Sequence, residues 1–404
     1  MGERAVIEAK DLPVLKKNQA AHKILAGNSI SFIGDQIYVI AIPLLVLSLT
    51  GSPLYMGAAA AAERLPVLLQ PAAGVLADRI ERRRILLLCD LGRAAVTGLL
   101  GVLSVFGLLE LWMLFLGAFL TGCMSQLYQT AQFAYIPGLV RKEDLPAVNS
   151  VNSAIMNSAS LMAPATGGLI ISLYSPAAGL LINSASFFLA FLAVWSISVR
   201  SIPAARKKQS FWKDAAEGFV FVVRNGPILY TNLALLLSVT GTTLFLTILI
   251  FHLKAENGLA VREIGLILSC GGAGAIGGSL LAGVLKKRFS YRNLLFGSCL
   301  TGGLSIVLLG LAEDFVWLLV LNTIGTAAAA IMNPCIAAIR QQVTPDELMG
   351  RVQATSRLMT WALMPASAFM AGILAETAGT SAVIMAGGCF SILGSFFYLK
   401  IKGV

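Results

Sequence analysis

Residues 74–93 read GVLADRIERRRILLLCDLGR. The stretch joins two long apolar runs, one ending at Ala77 and the next beginning at Ile85. Between them Arg79, Arg82, Arg83 and Arg84 face only Asp78 and Glu81, the pattern of two membrane-crossing helices joined by a tight basic turn. A shadow of it recurs at 283–295 as GVLKKRFSYRNLL, where Gly283, Arg288 and Arg292 align with Gly74, Arg79 and Arg83 at one offset. VRKEDL (140–145) likewise matches VTPDEL (343–348). Two related halves, each with a basic hinge after its second helix, predict a transporter built from repeats.

Composition points the same way. Of 404 residues, 57% are hydrophobic and only 12% charged, against roughly 25% charged in soluble domains. The mean hydropathy is +0.81. Twelve apolar segments, each long enough to cross a hydrocarbon core of roughly 30 Å, run at about 24–49, 54–77, 85–108, 111–137, 146–173, 177–199, 227–252, 262–285, 291–312, 315–340, 347–375 and 380–400. An even number puts both termini on one side, shared by the loops at 78–84, 138–145, 200–226, 286–290 and 341–346. Of the 30 Lys and Arg, only Lys254 and Arg262 fall on the opposite side and Arg64 inside a span. The positive-inside rule then makes both termini cytoplasmic in a multi-pass protein of the cell membrane.

The expected layout is a cytoplasmic tail at 1–23, a six-helix bundle at 24–199, a linker at 200–226 and a second bundle at 227–404. Residues 1–23 are polar and charged, so no cleavable signal peptide is expected. In the linker, FWKDAAEGFVFVVR (211–224) puts Phe211, Trp212, Ala215, Phe219, Val222 and Val223 mostly on one side of a helical wheel. That reads as an interfacial amphipathic helix, with a solvated charged linker as the alternative. Thr344 and Glu347, with Pro345 between them, form a capping-box pattern expected to start helix eleven.

Several function classes are disfavoured. The net charge of +10 sits in alternate loops, not on a basic, aromatic-interleaved surface, which argues against nucleic acid. The six cysteines lie in apolar runs without a CxxC, and the only histidines are His22 and His252, so neither a zinc site nor a disulfide framework is expected. GGAGAIGG (271–278) lacks the Lys-Ser/Thr of a phosphate-binding loop and reads as close helix packing. No ATP motif and no nucleophile–base constellation stand out. The expectation is a protein that is not an enzyme, holds no cofactor or metal, and draws on an ion gradient.

Ionisable residues inside the spans are the candidates for coupling, because charge there is costly. Asp35 lies near the middle of segment one and is the expected proton or cation site; a packing carboxylate bonded to Asn28 or Gln36 is the competing reading. Glu63 and Arg64 lie midway along segment two. Adjacent residues point about 100° apart on a helix, so each should seek a partner elsewhere. Arg64 with Asp35 is the preferred pair, with Glu63 a second titrating group. A structural gate is the alternative. Polar groups at mid-depth that would line a substrate cavity are Gln126, Gln129, Asn152, Asn157, Asn232, Thr243, Asn322 and Asn333, with Tyr38 beside them. Helix–helix hydrogen bonding is the competing role for any one of these. Arg357, one turn before Trp361, is read either as a contact for an anionic group or as a snorkelling cation.

The basic turn resembles the loop motif of the major facilitator superfamily, Gly-x-Leu-Ala-Asp-Arg-x-Gly-Arg-Arg. Gly74, Leu76, Ala77, Asp78, Arg79, Arg82 and Arg83 match it, and Glu81 replaces the second glycine. That departure, with Asp90 and Arg93 following, is similar to the branch holding macrolide efflux proteins and the enterobactin exporter. SFIGDQIYVIAIPLLVLSLTGSPLYMG (31–57) also looks like that branch. APATGG (163–168) resembles the antiporter motif through Pro164, Gly167 and Gly168, with Ala163 in place of a glycine. Many proton-linked drug exporters carry an arginine before Gly122; here that place holds Ala118.

The resemblance implies an all-α membrane fold of twelve helices in two six-helix bundles, working as a monomer by alternating access. It implies export of an amphiphilic organic compound, whether a drug, a macrolide-like molecule or a siderophore, in exchange for protons. Movement of lipid or lysophospholipid by the same fold, or a membrane receptor without transport, are the alternatives. It further implies that Gly74, Asp78, Arg79, Arg82 and Arg83 form a conformational latch, for which Asp346 and Glu347 offer acceptors. Anchoring of a loop by positive charge alone is the plainer reading of the same residues.

Overall fold

The computed structural model describes residues 13–197, 211–345 and 348–401, with side chains described at all of these but 71, 72, 75, 77, 78, 142 and 211–215. It is all helical. In chain order the helices are α1 (Gln19–Thr50), α2 (Pro53–Arg64), α3 (Gln70–Arg79), α4 (Arg82–Val105), α5 (Leu111–Tyr135), α6 (Leu145–Leu173), α7 (Pro176–Trp195), α8 (Phe211–Arg224), α9 (Gly226–Phe251), α10 (Val261–Leu285), α11 (Tyr291–Leu309), α12 (Phe315–Val343), α13 (Met349–Trp361), α14 (Met364–Ala378) and α15 (Thr380–Tyr398).

Among the described residues, eleven helical stretches are long and apolar enough to cross a membrane, α13 and α14 together forming one of them. The twelfth span is the interrupted α2–α3. A 3-10 turn at Leu65–Leu69 divides it, because Pro66 removes a backbone donor and its ring disfavours the helical carbonyl one turn earlier. Pro365 sits at the same kind of break between α13 and α14, whereas Pro164 lies inside the unbroken α6.

The chain divides into two compact units, one from the described parts of Met1–Leu49 and Ala62–Ala205, the other from those of Thr50–Ala61 and Arg206–Val404. The first three-quarters of α2 therefore belongs with the second unit. There Ser52 Oγ donates to Glu376 Oε2 at 2.7 Å. The first unit closes over a core that includes Ile24, Leu86, Tyr128, Tyr135, Val148 and Val194, drawn from α1, α4, α5, α6 and α7. The second closes over Ala234, Leu295, Cys299, Met332, Ile336 and Tyr398.

The GGAGAIGG run serves packing. Gly274 and Gly278 face backbone carbonyls of Thr323 and Ala327 on α12, leaving no room for a Cβ. The close approach lets Thr326 Oγ1 donate to the Gly271 carbonyl at 2.8 Å and Asn322 Nδ2 to the Ile267 carbonyl at 2.9 Å.

Two local expectations change. Thr344 is the C-cap of α12, and α13 begins only at Met349 with Leu348 as its N-cap. A turn closed by Leu348 N–H on the Pro345 carbonyl at 3.0 Å intervenes, so Thr344 does not start helix eleven; Asp346 and Glu347 lie outside the described residues. The linker helix α8 is not simply laid on an interface. Its Val222 is fully buried with Ile228 and Val352, Glu217 pairs with Arg351, and Phe219, Val220 and Val223 remain exposed. One face docks on α13 and another stays exposed, a split that a helical wheel cannot show.

At the basic end, Asp144 Oδ2 accepts from Arg141 Nε at 2.9 Å and from the Leu15 N–H at 3.2 Å. Asn18 Nδ2 donates to the Leu139 carbonyl at 2.7 Å. The Arg141 bond, helped by Leu15, holds the Asp144 carboxyl below its usual value. A depressed folded value gives stabilisation that is complete above the unfolded carboxyl's pKa of about 3.9 and is lost as the pH falls through the lower folded value. Hydrogen exchange at residues 15–18 should therefore be accelerated in Asp144→Asn at neutral pH, and the difference from wild type should vanish in strong acid. For α8, Val222→Asp should lower stability by several kcal/mol, as burial of an unpaired carboxylate does. Glu217→Ala, which removes a half-exposed pair, should cost under about 1 kcal/mol. Thermal unfolding in detergent reads both.

Candidate functional site

Asn28, Ser31, Asp35 and Tyr38 recur at helical spacing along α1 and make one polar stripe in a largely apolar 32-residue helix. Near the basic end of the stripe, Asn28 Nδ2 donates to Asn152 Oδ1 at 3.0 Å. Asn28 Oδ1 accepts from Gln132 Nε2 at 2.5 Å and from the Tyr128 hydroxyl at 3.4 Å. One asparagine thus ties α1 to α5 and α6. Further along, Gly34 meets Asn183 and Ser186 of α7 so closely that no Cβ fits, and Asp35 follows directly.

The most buried charges of the first unit lie on α4. Arg93 Nη2 donates to Asp90 Oδ1 at 2.6 Å, and the two residues are 3% and 0% exposed. The guanidinium is held between the rings of Tyr128, 4.4 Å from its centroid, and Phe187, at 4.1 Å, a cation–π sandwich that partly compensates for lost hydration. Asp90 Oδ2 and Arg93 Nε are buried without a hydrogen-bond partner. Arg93 is also the cation acting most strongly on Asp35, which feels Glu63 as well.

Glu63 and Arg64 end α2 and act on each other electrostatically. The break that follows them is seated on α5: a Cβ at Gly122 would collide with the Glu63 carbonyl and press on Pro66. The hydroxyls of Tyr38 and Thr121 are buried close together near Glu63, without a hydrogen bond of ordinary geometry. The first unit therefore gathers three carboxyl groups, Asp35, Glu63 and Asp90, around two guanidiniums, Arg64 and Arg93. Fully ionised, this cluster carries one negative charge in excess, and one bound proton or cation neutralises it.

Of the residues expected to matter, Asp35 lies within electrostatic range of Arg93 and of Glu63, and Glu63 and Arg64 act on each other. Asn152 joins the Asn28 network, Gln126 and Asn157 are half-buried, and Gln129 is exposed. In the second unit Asn232 donates to Ser356 Oγ at 2.9 Å and accepts from Arg340 Nη2 at 3.1 Å. Arg357 stacks on Trp361 at 4.2 Å. Asn333, Asn322 and Thr242 line a cavity of about 340 Å³ within that unit, but Asn322 is committed to α10, and Thr243 is buried.

The basic turn is engaged within its own unit. Arg82 Nη1 donates to the Ala134 carbonyl at 3.0 Å, and Arg83 Nη2 to the Trp195 carbonyl at 2.7 Å. These carbonyls lie at the C-terminal ends of α5 and α7, where a cation is favoured. Arg84 pairs with Glu81 at 2.9 Å, Gly74 is half-buried and Arg79 exposed. The acceptors Asp346 and Glu347 and the Asp78 side chain lie outside the described residues. Sequence reasoning missed Asp90, Arg93 and Arg340 as site residues. An acid and a base three residues apart inside the apolar run ILLLCDLGRAAV is the signal that would have found the first two.

The chain matches the family described as transmembrane secretion effectors over residues 15–402. It belongs to that family, a branch of the major facilitator superfamily. It is 27% identical over 399 residues to the uncharacterised MFS-type transporter YfiS of Bacillus subtilis (strain 168), covering 94% of this chain and 93% of that one. It is 25% identical over 362 residues to the multidrug efflux pump Tap of Mycolicibacterium fortuitum, covering 87% and 88%. It is 24% identical over 373 residues to macrolide efflux protein A of Streptococcus pyogenes, covering 89% and 90%. The fold resembles that of a bacterial homologue of the iron transporter ferroportin in an inward-facing state, with a TM-score of 0.75 at 17% identity over 96% of this chain and 99% of the other.

If Gly122 seats the broken span, Gly122→Ala should push α5 off the Glu63 carbonyl and cost about 1–3 kcal/mol, as overpacking does. Gly277, with open space beside it, is the control: Gly277→Ala should change stability by less than about 1 kcal/mol. Thermal unfolding of the two purified variants in detergent makes the comparison.

Proposed function

We propose that this transporter exports amphiphilic organic molecules across the cytoplasmic membrane in exchange for protons, by alternating access. The observation that carries the reading is the single excess negative charge of the Asp35–Glu63–Asp90–Arg64–Arg93 cluster. A buried site that one proton renders neutral is a site whose charge state and solvation change together, as coupling requires. Asp35 is the coupling carboxylate, with Glu63 contributing. The direction and the substrate class are supported by the efflux relatives, one named for multiple drugs and one for macrolides.

The same proposal makes the chain a monomer with no cofactor, no covalent chemistry and no nucleic-acid partner, its energy coming from the proton gradient. The positive charge of the loops supports cytoplasmic termini. The polar groups Asn152, Asn232 and Asn333 and the Arg357–Trp361 pair offer the mixture of apolar surface and sparse hydrogen-bonding groups that such molecules require. Gly74, Asp78, Arg79, Arg82 and Arg83 serve as the latch.

Proteoliposomes holding wild type or Asp35→Asn, with an imposed pH gradient and ethidium or erythromycin as probe, test the reading. Wild type should move at least one probe faster with the gradient than without, and the variant should lose at least tenfold of that gradient-driven component. Equal gradient-driven flux in both proteins would remove Asp35 as the coupling site.

A further inference from the structure

The cavity of about 340 Å³ lies wholly within the second unit, and the charged cluster of the first unit makes no use of it. Its volume falls within the range of about 300–1,000 Å³ usual for small-molecule sites. We propose that this cavity binds an uncharged, mainly apolar molecule carrying a hydrogen-bonding oxygen, held by Ser298, Thr242 and Asn333. The inference concerns binding alone and does not depend on export or on proton coupling.

The cavity exists because side chains are missing from its walls. Gly302 and Gly303 on α11, Gly325 on α12 and Ala275 on α10 all line it. The helices cannot close the gap, because they already touch beside it. A Cβ at Gly303 would strike Ile392 and the Gly388 carbonyl on α15, and one at Gly325 would strike Ser305 Oγ on α11. Gly302 differs: a Cβ there meets nothing closer than 3.7 Å. The floor is buried and the mouth is not. Ser298 and Cys299 on α11 and Ser391 on α15 are buried, and the Cys299 thiol donates to the Ser391 carbonyl at 3.2 Å. Leu246 on α9 and Ala329 and Asn333 on α12 are exposed, so the cavity opens along the faces that carry them.

The lining decides the chemistry of the guest. It contains no Asp, Glu, Lys, Arg or His, so an ion brought in from water finds nothing to offset its lost hydration. Several polar groups are already engaged. Ser305 donates to the Gly302 carbonyl at 2.8 Å, Thr326 to the Gly271 carbonyl at 2.8 Å and Asn322 to the Ile267 carbonyl at 2.9 Å. The hydroxyls of Ser298 and Thr242 and the amide of Asn333 have no hydrogen-bond partner among the described residues. Each can donate to an oxygen of a guest. A buried water takes about three hydrogen bonds, more than three free groups can supply to a space of this size. Phe245, Ile306 and Met332 offer apolar contact instead, and dispersion contacts with a guest replace those that an empty space forfeits.

Photolabelling of the full-length protein in detergent with benzophenone tests this. The probe is uncharged, pairs two rings with one carbonyl oxygen, and inserts into C–H bonds on irradiation. Mass spectrometry of the peptides covering 298–309 and 321–333 reads the yield, relative to adducts elsewhere on the same protein. In wild type this yield should saturate with probe concentration. Gly302→Leu, which sends an isobutyl group into the cavity from a position where a Cβ fits, should lower it about tenfold or more through lost apolar burial. Ser298→Ala combined with Thr242→Val should lower it about tenfold through lost hydrogen bonds. Benzophenone-4-carboxylate, the same scaffold with a negative charge at neutral pH, should label these peptides about tenfold less or weaker still.

Non-saturable labelling of the two peptides, equal labelling by the two probes, or an unchanged yield in Gly302→Leu protein that unfolds cooperatively would overturn the proposal. Should Gly302→Leu fail to fold, a wild-type yield in the Ser298→Ala, Thr242→Val protein refutes it. A second arm in lipid nanodiscs separates the sources of the guest. A yield equal to that in detergent supports the site and means a compound arriving from water. A several-fold lower yield, restored on delipidation, supports it and means a lipid chain with its ester oxygen in the same cavity. The readout is independent of flux, so loss of the export reading would leave the labelling result in place.

Discussion

A buried pair of opposite charges, Asp90 with Arg93 at 2.6 Å, holds the first unit in register. Removing one member of such a pair strands the other and costs about 3–5 kcal/mol, so the helices around it are not free to rearrange. Arg93 fixes α5 and α7 through the two rings that cover it. Tyr128, one of those rings, reaches Asn28 on α1, and Asn28 reaches Asn152 on α6. Interhelical hydrogen bonds in membranes average only about 0.6 kcal/mol. The network therefore acts less through its summed strength than through the cost of leaving a charge alone in the middle of it.

The same expense governs the basic end. Arginines that anchor the turn between α3 and α4 do not hang free: Arg82 and Arg83 satisfy the terminal carbonyls of α5 and α7, groups that a helix leaves without partners. Loop charge, which orients a membrane protein, here also closes the ends of its helices. The linker helix α8 follows the same economy, with Val222 buried against α9 and α13 while Phe219, Val220 and Val223 stay exposed.

What could be read in the chain followed from periods and punctuation. Twelve apolar runs, basic loops on one side and the repeat at Gly74 and Gly283 were legible because length, charge and spacing are properties of the chain itself. The break in the second span was less so: Pro66 announced a disturbance, but that it becomes a 3-10 turn seated on Gly122 depends on a helix more than fifty residues away. Asp35 was legible as a costly charge. That Arg93 lies within electrostatic range of it was not, because the approach of α1 to α7 at Gly34 is set by packing between helices far apart in the chain. Thr344 illustrates the converse. Its capping pattern is good local chemistry, but the turn at Pro345 leaves it ending one helix instead of starting the next.

The placement of charge also separates the two units chemically. Among the described residues, the first unit holds Asp35, Glu63, Asp90, Arg64 and Arg93 inside its spans, whereas the second holds Arg357, with Arg340 in the last turn of α12. Arg340 is engaged by Asn232 and Gln353, and Arg357 by Trp361; no carboxylate at that depth of the second unit can gain or lose a proton. Helix α2 is the stretch that carries the chain from the second unit into the first, the changeover falling between Ala61 and Ala62. Glu63 is the next acid along and Pro66 the next break, so the titrating group nearest the changeover sits immediately before the least rigid turn of its span. A helix interrupted at that point yields at lower cost than an intact one, since the backbone bond that would resist bending is already absent.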